Sequence, residues 1–594
     1  MHPSHRAAAT LANTPRLVRF TRMLHAVRLG LYTIGAGTAL WLGYRSVQVL
    51  NPPQPAGPPS LRPSARPRLV VCGTGWASHA LLRSLDPRLC DVVLISDRNH
   101  FVYTPLLPSA SVGSVELRSI VVPARELLAR LQRRWWHWPQ LLTESGQAVP
   151  ATEWSFINAR VEDVDPLTKQ VHCSAVHGGA RFSVPYDVAV LAVGSGTNDG
   201  GFPAVRSCCH ALRSAEDARA IRSALNDALE GAAEPSTSAE ERHRLLQFVV
   251  VGAGPSGCEI AAELHDFLHE DARRLFPRSL LDDVCVTIVQ SGATVLNGFE
   301  KRIAEYATEK FRRDGIQLLL NHRVVDVTSD ALTVMDKFSQ EAQTLPFGVC
   351  IWTAGLAMHP LIRRVAERLG AQAQSNRYAL VVNHHLGVVG DPHRALYAAG
   401  DCSTLQSAAT QSHLDKLFQL ADIDGDGRIH VYEFLRFIRI VRDEYPQLAE
   451  FVSMIEPDFH EGQSSINREQ FQKWLVKVDE HSTALPPTAQ VAFQQGRYLG
   501  RLLNERFRCW PAGFDELEAG LYPPFEWRNL GAAAYLGNSV SVLQFPFMDP
   551  LYGNVAFWLW YGYSLLHLFS WRSRFLVMID FVKTRVLGRD ISKF

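Results

Sequence analysis

The 594-residue chain is 47% hydrophobic and 20% charged, a globular composition with room for roughly three to five domains. A formal net charge of +1 excludes an overall basic surface for nucleic acid. The charge is unevenly spread, because residues 1–85 hold ten Arg and no Lys, Asp or Glu, which leaves −9 for residues 86–594.

The first segment reads as a mitochondrial presequence. Arg16, Arg19, Arg22 and Arg28 stand among apolar residues, as in an amphipathic targeting helix, and no acid precedes Asp86. The 16 uncharged residues between Arg28 and Arg45 fall short of the ~20 that span a bilayer. They suit a sorting segment or the apolar half of a cleaved leader. Residues 51–67 form a proline-rich linker, so 1–68 is set aside as targeting sequence and linker. The ten cysteines include no CxxC pair. Free thiols are expected, and no redox-active pair accompanies the first nucleotide motif.

Residues 69–85 read as strand, turn and helix. The strand Leu69–Cys72 runs into Gly73-Thr74-Gly75, then Trp76-Ala77-Ser78 open a helix. Glycines there let backbone N–H groups approach a pyrophosphate at a helix N-terminus. Ser78 stands where the third glycine is usual. The next strand ends at Asp97, 24 residues after Gly73, where a ribose-binding acid belongs. Residues 245–264 repeat the pattern more completely, with Gly252, Gly254, Pro255, Ser256 and Gly257, and with Glu259 on the helix. Its next strand ends at Gln290, 38 residues after Gly252, so a long helical excursion is expected between them. A neutral Gln does not repel the 2′-phosphate of NADPH as an acid would, and no Arg adjoins it. Residues 349–356, with Gly355, close this second unit. A later strand ends at Gly400-Asp401.

Residues 422–433 match a calcium loop: Asp422, Asp424 and Asp426 at positions 1, 3 and 5, Gly427 at 6, the Arg428 carbonyl at 7, and Glu433 at 12. Oxygen donors at this spacing select calcium over softer metals. His430 at position 9 is unusual and weakens binding. Residues 451–475 resemble a second hand with Ile466 at position 8, but Phe459 and Gln470 at positions 1 and 12 leave that loop without charge. It is expected to be a structural partner only. Further on, Gln490 and Gln494 share a helix face. Residues 554–590 mix Trp, Phe and Leu with Arg572, Arg574, Lys583, Arg585 and Arg589. They suit an amphipathic helix pair in a membrane interface, basic residues toward headgroups. Packing of that pair on the enzyme's own core or in a dimer is the plainer alternative.

Together, residues 99–125, 249–277, 397–402, 485–500 and 527–537 resemble the type II, non-proton-pumping NAD(P)H:ubiquinone oxidoreductases, in particular the calcium-binding external mitochondrial class. The resemblance implies noncovalent FAD on the first unit, contacted by Gly400 and Asp401, and NADH or NADPH on the second. It implies electron transfer to ubiquinone at a pocket supplied by Gln490 and Gln494. Phe493 stands where relatives often have His, which puts a proton relay there in doubt. The implied enzyme is a peripheral protein of the mitochondrial inner membrane facing the intermembrane space, a homodimer that meets the quinone pool and the membrane surface, regulated by calcium and binding no nucleic acid. A soluble calcium-regulated FAD/NAD(P)H reductase with a protein acceptor is the alternative.

The expected fold is α/β: two Rossmann-like dinucleotide-binding domains, an inserted α-helical EF-hand domain, and a C-terminal amphipathic helical membrane-anchoring region. Expected boundaries are 69–215, 376–403 and 483–535 for the FAD-binding domain and 245–375 for the NAD(P)H-binding domain. The EF-hand insert takes 404–482 and the membrane-association region 536–594.

Overall fold

Arg68–Cys72 carries four consecutive apolar residues, and all four are fully buried. A strand with no alternation must be covered on both faces, which a parallel sheet flanked by helices provides. The computed structural model describes residues 66–136, 153–406, 414–441, 465–481, 485–510, 522–546 and 548–590, and in it this strand lies within a seven-stranded sheet. The order is Leu396–Ala398, Val188–Leu191, Arg68–Cys72, Asp91–Ser96, Trp154–Asp165, Gln170–Ala175 and Arg181–Pro185. The first five are parallel and the last two extend them as an antiparallel meander. The targeting reading of residues 1–65 lies outside the described residues.

A second, wholly parallel sheet runs His210–Ala211, Val349–Trp352, Gln247–Val251, Cys285–Gln290 and Gln317–Leu320. The meander His322–Val327, Ala331–Asp336 and Ala342–Pro346 follows it. Gly196–Thr197 pairs with Leu356–Ala357 and ties the two units together. The long excursion before Gln290 is helical, as expected: Pro255–Asp266 continues into a π-helical turn, Phe267–Ala272, and two short helices.

Three expected boundaries move. His210–Ala211 pairs with Val349–Trp352, so the nucleotide unit claims residues before 215. Ser403–Leu405 pairs with Leu380–Val382, so the flavin unit runs to Leu405 and the insert starts later than 404. Ala532–Tyr535 pairs with Ser541–Phe545, which pairs with Met548–Gly553, so it joins the C-terminal region. In each case a strand was assigned by sequence proximity and taken instead by the sheet edge that satisfies its backbone.

The insert has helices Leu414–Ala421, Val431–Val441 and Arg468–His481 and its own core, including Phe418, Phe437, Phe471 and Trp474. Strands Arg428–His430 and Ser465–Asn467 pair with Ile429 opposite Ile466, the alignment expected of two hands. Phe459 lies outside the described residues. Gln470 exchanges hydrogen bonds with Asn467, its Oε1 accepting from Asn467 N at 3.0 Å, so it caps a helix. All ten cysteines are free.

Candidate active site

Both fingerprint turns sit at carboxyl ends of parallel strands, the ligand edge of such sheets. Gly73 has φ +105°, and a Cβ there would lie 2.4 Å from the Ala192 carbonyl. Gly252 has φ +101°, and a Cβ at Gly257 would meet the Gly252 carbonyl at 1.9 Å. Around Gly194 and Gly254 the space is open, and at Gly75 the nearest atom is the Ala192 carbonyl at 3.8 Å, so each turn forms a cradle that a pyrophosphate can enter.

On the flavin unit, Thr74 Oγ1 donates to the His100 carbonyl at 3.0 Å, which pins the turn, and Ala77 and Ser78 are buried. Asp97 is half exposed just beyond its strand, with Arg160 Nε at 3.8 Å. The Trp76 indole N–H donates to Thr104 Oγ1 at 2.9 Å, and the ring packs on Phe101, Tyr103, Phe493 and Phe569. Asp401 is held by two groups the sequence reading missed: Ser195 Oγ donates to it at 3.3 Å, and Arg213 lies 3.4 Å away. Burial pulls the Arg213 pKa below its usual value, and the Asp401 charge opposes this. Nothing in the sequence around Arg213 marks it, since it meets Asp401 only through the fold.

On the nucleotide unit, Pro255 opens the helix beside exposed Ser256. The buried Gln290 accepts from Ala253 N at 3.2 Å, so its amide braces the fingerprint turn. Gly355 turns with φ +73° against Asn198. Glu259 is buried and accepts from Tyr535 N at 3.3 Å. Burial first, then the Glu263 charge, push its carboxyl up to about 8.

Helix Ala489–Arg508 lies directly on helix Trp76–Ser84. A Cβ at Gly496 would fall 2.1 Å from the Ala77 carbonyl, and one at Gly500 2.7 Å from the Leu81 carbonyl. Two glycines one turn apart therefore let the backbones touch. Gln490 and Gln494 do share a face, but both amides are engaged. Gln494 donates to the Arg528 carbonyl at 2.8 Å and accepts from Arg528 N at 3.0 Å, and Gln490 accepts from Leu530 N at 3.3 Å. They hold residues 528–531 in place. The neighbouring Gln495, missed earlier, accepts from Gly400 N at 2.6 Å.

The pyridine nucleotide-disulphide oxidoreductase family matches residues 67–419, and the NDH2 C-terminal domain matches 529–590. The chain is 34% identical over 549 residues to external alternative NAD(P)H-ubiquinone oxidoreductase B1, mitochondrial, of Solanum tuberosum, covering 89% of this chain and 91% of that one. It is 28% identical over 593 residues to external NADH-ubiquinone oxidoreductase 2, mitochondrial, of Saccharomyces cerevisiae, covering 96% and 90%. NDH2 from Plasmodium falciparum in complex with NADH superposes with a TM-score of 0.75 at 26% identity, over 89% of this chain and all of that one. The chain belongs to the type II NADH dehydrogenase family. It is a flavin-dependent pyridine nucleotide oxidoreductase.

In this enzyme the calcium-type loop brings its acids together. Carboxylate oxygens of Asp422, Asp424 and Glu433 lie within 4.8 Å of one another, close enough to share one ion with bonds of about 2.4 Å. Asp426 and His430 form a second group with Asp424. The loop acids also shape the turn: Asp422 accepts from Gly425 N and Gly427 N, and Asp426 from Arg428 N at 2.7 Å. Glu433 is fully buried and accepts from Ile423 N, Asp424 N and His430 N. Its carboxylate is already inside the loop. His430 Nε2 lies 3.1 Å from Asp426 Oδ2, so position 9 competes for a ligand.

The tail forms helices Asn554–His567 and Trp571–Leu587. One side of the first buries Phe557, Trp560 and Tyr561, while Trp558, Leu559, Tyr563 and Leu566 are exposed. The second exposes Trp571, Phe575, Ile579, Val582 and Val586 at helical spacing. One face of the pair thus lies on the core and one apolar face points outward. The expectation for the basic residues needs correction. Arg589 is buried against Asp271 at 2.6 Å and Glu263 at 3.8 Å, Lys583 pairs with Glu116, and Arg574 donates to the Leu568 carbonyl. The buried carboxylates Glu263 and Asp271 on the nucleotide unit recruit Arg589, because a charge left unpaired there is costly. No described helix is long and apolar enough to cross a membrane.

Proposed function

We propose that this enzyme oxidises NADH, and NADPH as well, and reduces ubiquinone through FAD without pumping protons, under calcium control. It works as a peripheral homodimer on the mitochondrial inner membrane, facing the intermembrane space. The observation that carries the reading is the close packing of helix Ala489–Arg508 on the fingerprint helix at Gly496 and Gly500, which sets an acceptor-side helix against the flavin cradle. The relatives named above, mitochondrial NAD(P)H-ubiquinone oxidoreductases, support the donor, acceptor and location.

FAD, when bound, would supply the redox chemistry between a reduced nicotinamide and a quinone. The chain's part is to bind and orient. Gly73 to Ser78, Asp97 and Asp401, the last steadied by Arg213, would hold the flavin nucleotide. Gly252 to Gly257, Gln290 and Gly355 would hold the nicotinamide nucleotide. Glu259, its carboxyl pushed up to about 8 by burial, keeps its proton near neutral pH and so adds no charge to the nucleotide unit. Gln490 and Gln494 act on the acceptor pocket by fixing residues 528–531. Asp422, Asp424, Asp426, Glu433 and the Arg428 carbonyl would hold calcium. The outward apolar face of the two tail helices lies in the membrane interface.

Steady-state turnover of the purified holoenzyme tests this, with NADH or NADPH as donor, decylubiquinone or ferricyanide as acceptor, and calcium or a chelator present. The expected result is quinone reduction with both nucleotides. Ferricyanide reduction without quinone reduction would favour the protein-acceptor alternative.

A further inference from the structure

The second sheet ends in a strand of two residues, His210–Ala211, held to Val349–Trp352 in parallel register, with His210 beside Ile351 and Ala211 beside Trp352. One step back along both strands, the same register sets Cys209 beside Cys350. Their side chains share a face: Cys350 and Trp352 belong to the core formed with Val249, Val251 and Val289, and Cys209 packs on that same core. Adjacent strands lie about 4.8 Å apart. A disulfide joins Cα atoms about 4.4–6.8 Å apart, so the pair is within reach of a bridge. The two thiols are free and already hydrogen-bonded to each other. Cys208 is no rival partner. Consecutive Cα atoms are about 3.8 Å apart, short of that range, and the Cys208 sulfur lies instead 3.4 Å from Ser207 Oγ.

Access and chemistry divide the pair into two roles. Cys350 is fully buried, whereas Cys209 is half-buried and lines a cavity of about 380 Å³ with Thr197, Asp199, Arg206, His210 and Trp352. A small polar oxidant entering there meets Cys209 first. The hydrogen bond from Cys350 draws the Cys209 pKa below the usual thiol value, against the opposing effect of burial. The same contact, with burial adding to it, pushes Cys350 well up. One sulfur is thus favoured as the thiolate that attacks, and the other waits beside it as a thiol. Burial raises the thiols of Cys72, Cys90, Cys173, Cys258, Cys285 and Cys402, which suits packing and not reactivity.

We propose that Cys209 is a peroxide-reactive thiol and that Cys350 resolves it, the pair closing into a reversible disulfide across the edge of the second sheet. The Cys209 thiolate attacks one oxygen of hydrogen peroxide. The O–O bond breaks, Cys209 becomes a sulfenic acid, and the other oxygen takes up a proton and leaves as water. The Cys350 sulfur then attacks the Cys209 sulfur, the S–O bond breaks, and the hydroxyl leaves with a proton as a second water. The two thiols give up two electrons and two protons, and peroxide takes both. A small-molecule dithiol reverses the step by thiol–disulfide exchange. The bridge fastens chain that leads on one side to Arg213, beside Asp401, and on the other to the turn at Gly355.

Full-length, FAD-loaded enzyme is treated with an equimolar amount of hydrogen peroxide in the absence of NADH, its remaining thiols are alkylated, and its peptides are mapped by mass spectrometry. Wild type should lose two alkylatable thiols and gain one cross-link, between Cys209 and Cys350, that dithiothreitol removes. Cys208→Ser should keep that cross-link. Cys350→Ser retains a hydroxyl that can donate to Cys209, so in the presence of dimedone it should stop at the sulfenic acid and carry the label on Cys209. Cys209→Ser should show neither cross-link nor label at Cys350. Wild type whose Cys209 and Cys350 both remain alkylatable after peroxide would overturn the proposal. So would a cross-link lost in Cys208→Ser, or a Cys350→Ser enzyme whose Cys209 takes no dimedone.

Discussion

At the residue scale, Gln290 shows how one side chain does two jobs. Its carbonyl braces Ala253 N in the fingerprint turn, and its neutrality leaves a 2′-phosphate unrepelled. The fold adds a cation that the sequence reading lacked. Lys337 follows the meander strand Ala331–Asp336 and donates to the Ser291 carbonyl, next to Gln290. Gln290→Glu should cut NADPH kcat/KM about tenfold or more while NADH falls less, and Lys337→Ala should weaken NADPH alone. Equal effects on both nucleotides would place these residues away from the ribose. Glu259 makes a second prediction, of stability. Its pKa is raised from 4.5 to about 8, so between those values the folded state binds more protons than the unfolded one. Stability contributed by this group is thus lost as pH rises through that window, at no more than about 1.4 kcal/mol per pH unit. Glu259→Gln should flatten the slope, so that its Tm gains on wild type from pH 5 to pH 8. A constant Tm offset across those pH values would contradict the raised pKa.

At the element scale, elements whose signal lies in consecutive residues were readable, and elements defined by a distant partner were not. Apolar runs ending in glycine turns gave both nucleotide units, and the acid spacing of 422–433 gave the loop. The edge strands His210–Ala211 and Ala532–Tyr535 are short and find their sheets only through the fold, so their domain assignments moved. Gln490 and Gln494 were correctly placed on one face, but what that face touches, residues 528–531, could not be read from spacing. The tail shows the same limit: its period gave two helices, while Arg589 meeting Asp271 and Glu263 needed three dimensions. This bears on how membrane binding is tested. Removing 554–594 would strip partners from those buried carboxylates and uncover core around Phe557 and Trp560, so loss of binding would be confounded by unfolding. Substituting the outward side chains is cleaner. Trp571→Ser with Phe575→Ser should release the enzyme from liposomes with a Tm change of about 1 kcal/mol equivalent or less, because both are exposed at 73% and 58%. A doubly substituted enzyme that still floats with liposomes would assign membrane contact elsewhere.

At the scale of the whole molecule, the insert is strung between the two halves of the site. Its N-terminal side follows Asp401 by way of the strand Ser403–Leu405, and its C-terminal side leads to Thr488, which caps the helix carrying Gln490. A change within the insert therefore acts on chain attached to the flavin-side carboxylate at one end and to the acceptor-side helix at the other. The device inside is Glu433. Its buried carboxylate accepts three backbone N–H groups, from Ile423, Asp424 and His430, and so joins the exiting helix to both ends of the loop. Calcium binding would neutralise the clustered acids and fix that junction, changing how the two helices of the hand meet. The coupling required is small, since tenfold activation needs only about 1.4 kcal/mol between the two sites. Glu433→Gln keeps the size of the side chain but replaces one acceptor oxygen with a donor. At least one of the three amide contacts must break, at about 1–3 kcal/mol of insert stability. FAD content and calcium-free turnover should stay near wild type, because the insert has its own core. Calcium affinity measured by titration calorimetry should fall, and calcium stimulation should disappear with both nucleotides. A wild-type enzyme whose turnover ignores chelator at saturating and at limiting quinone, while calcium still raises its Tm, would make the hand a structural staple, and Glu433→Gln would then lower thermal stability without touching regulation.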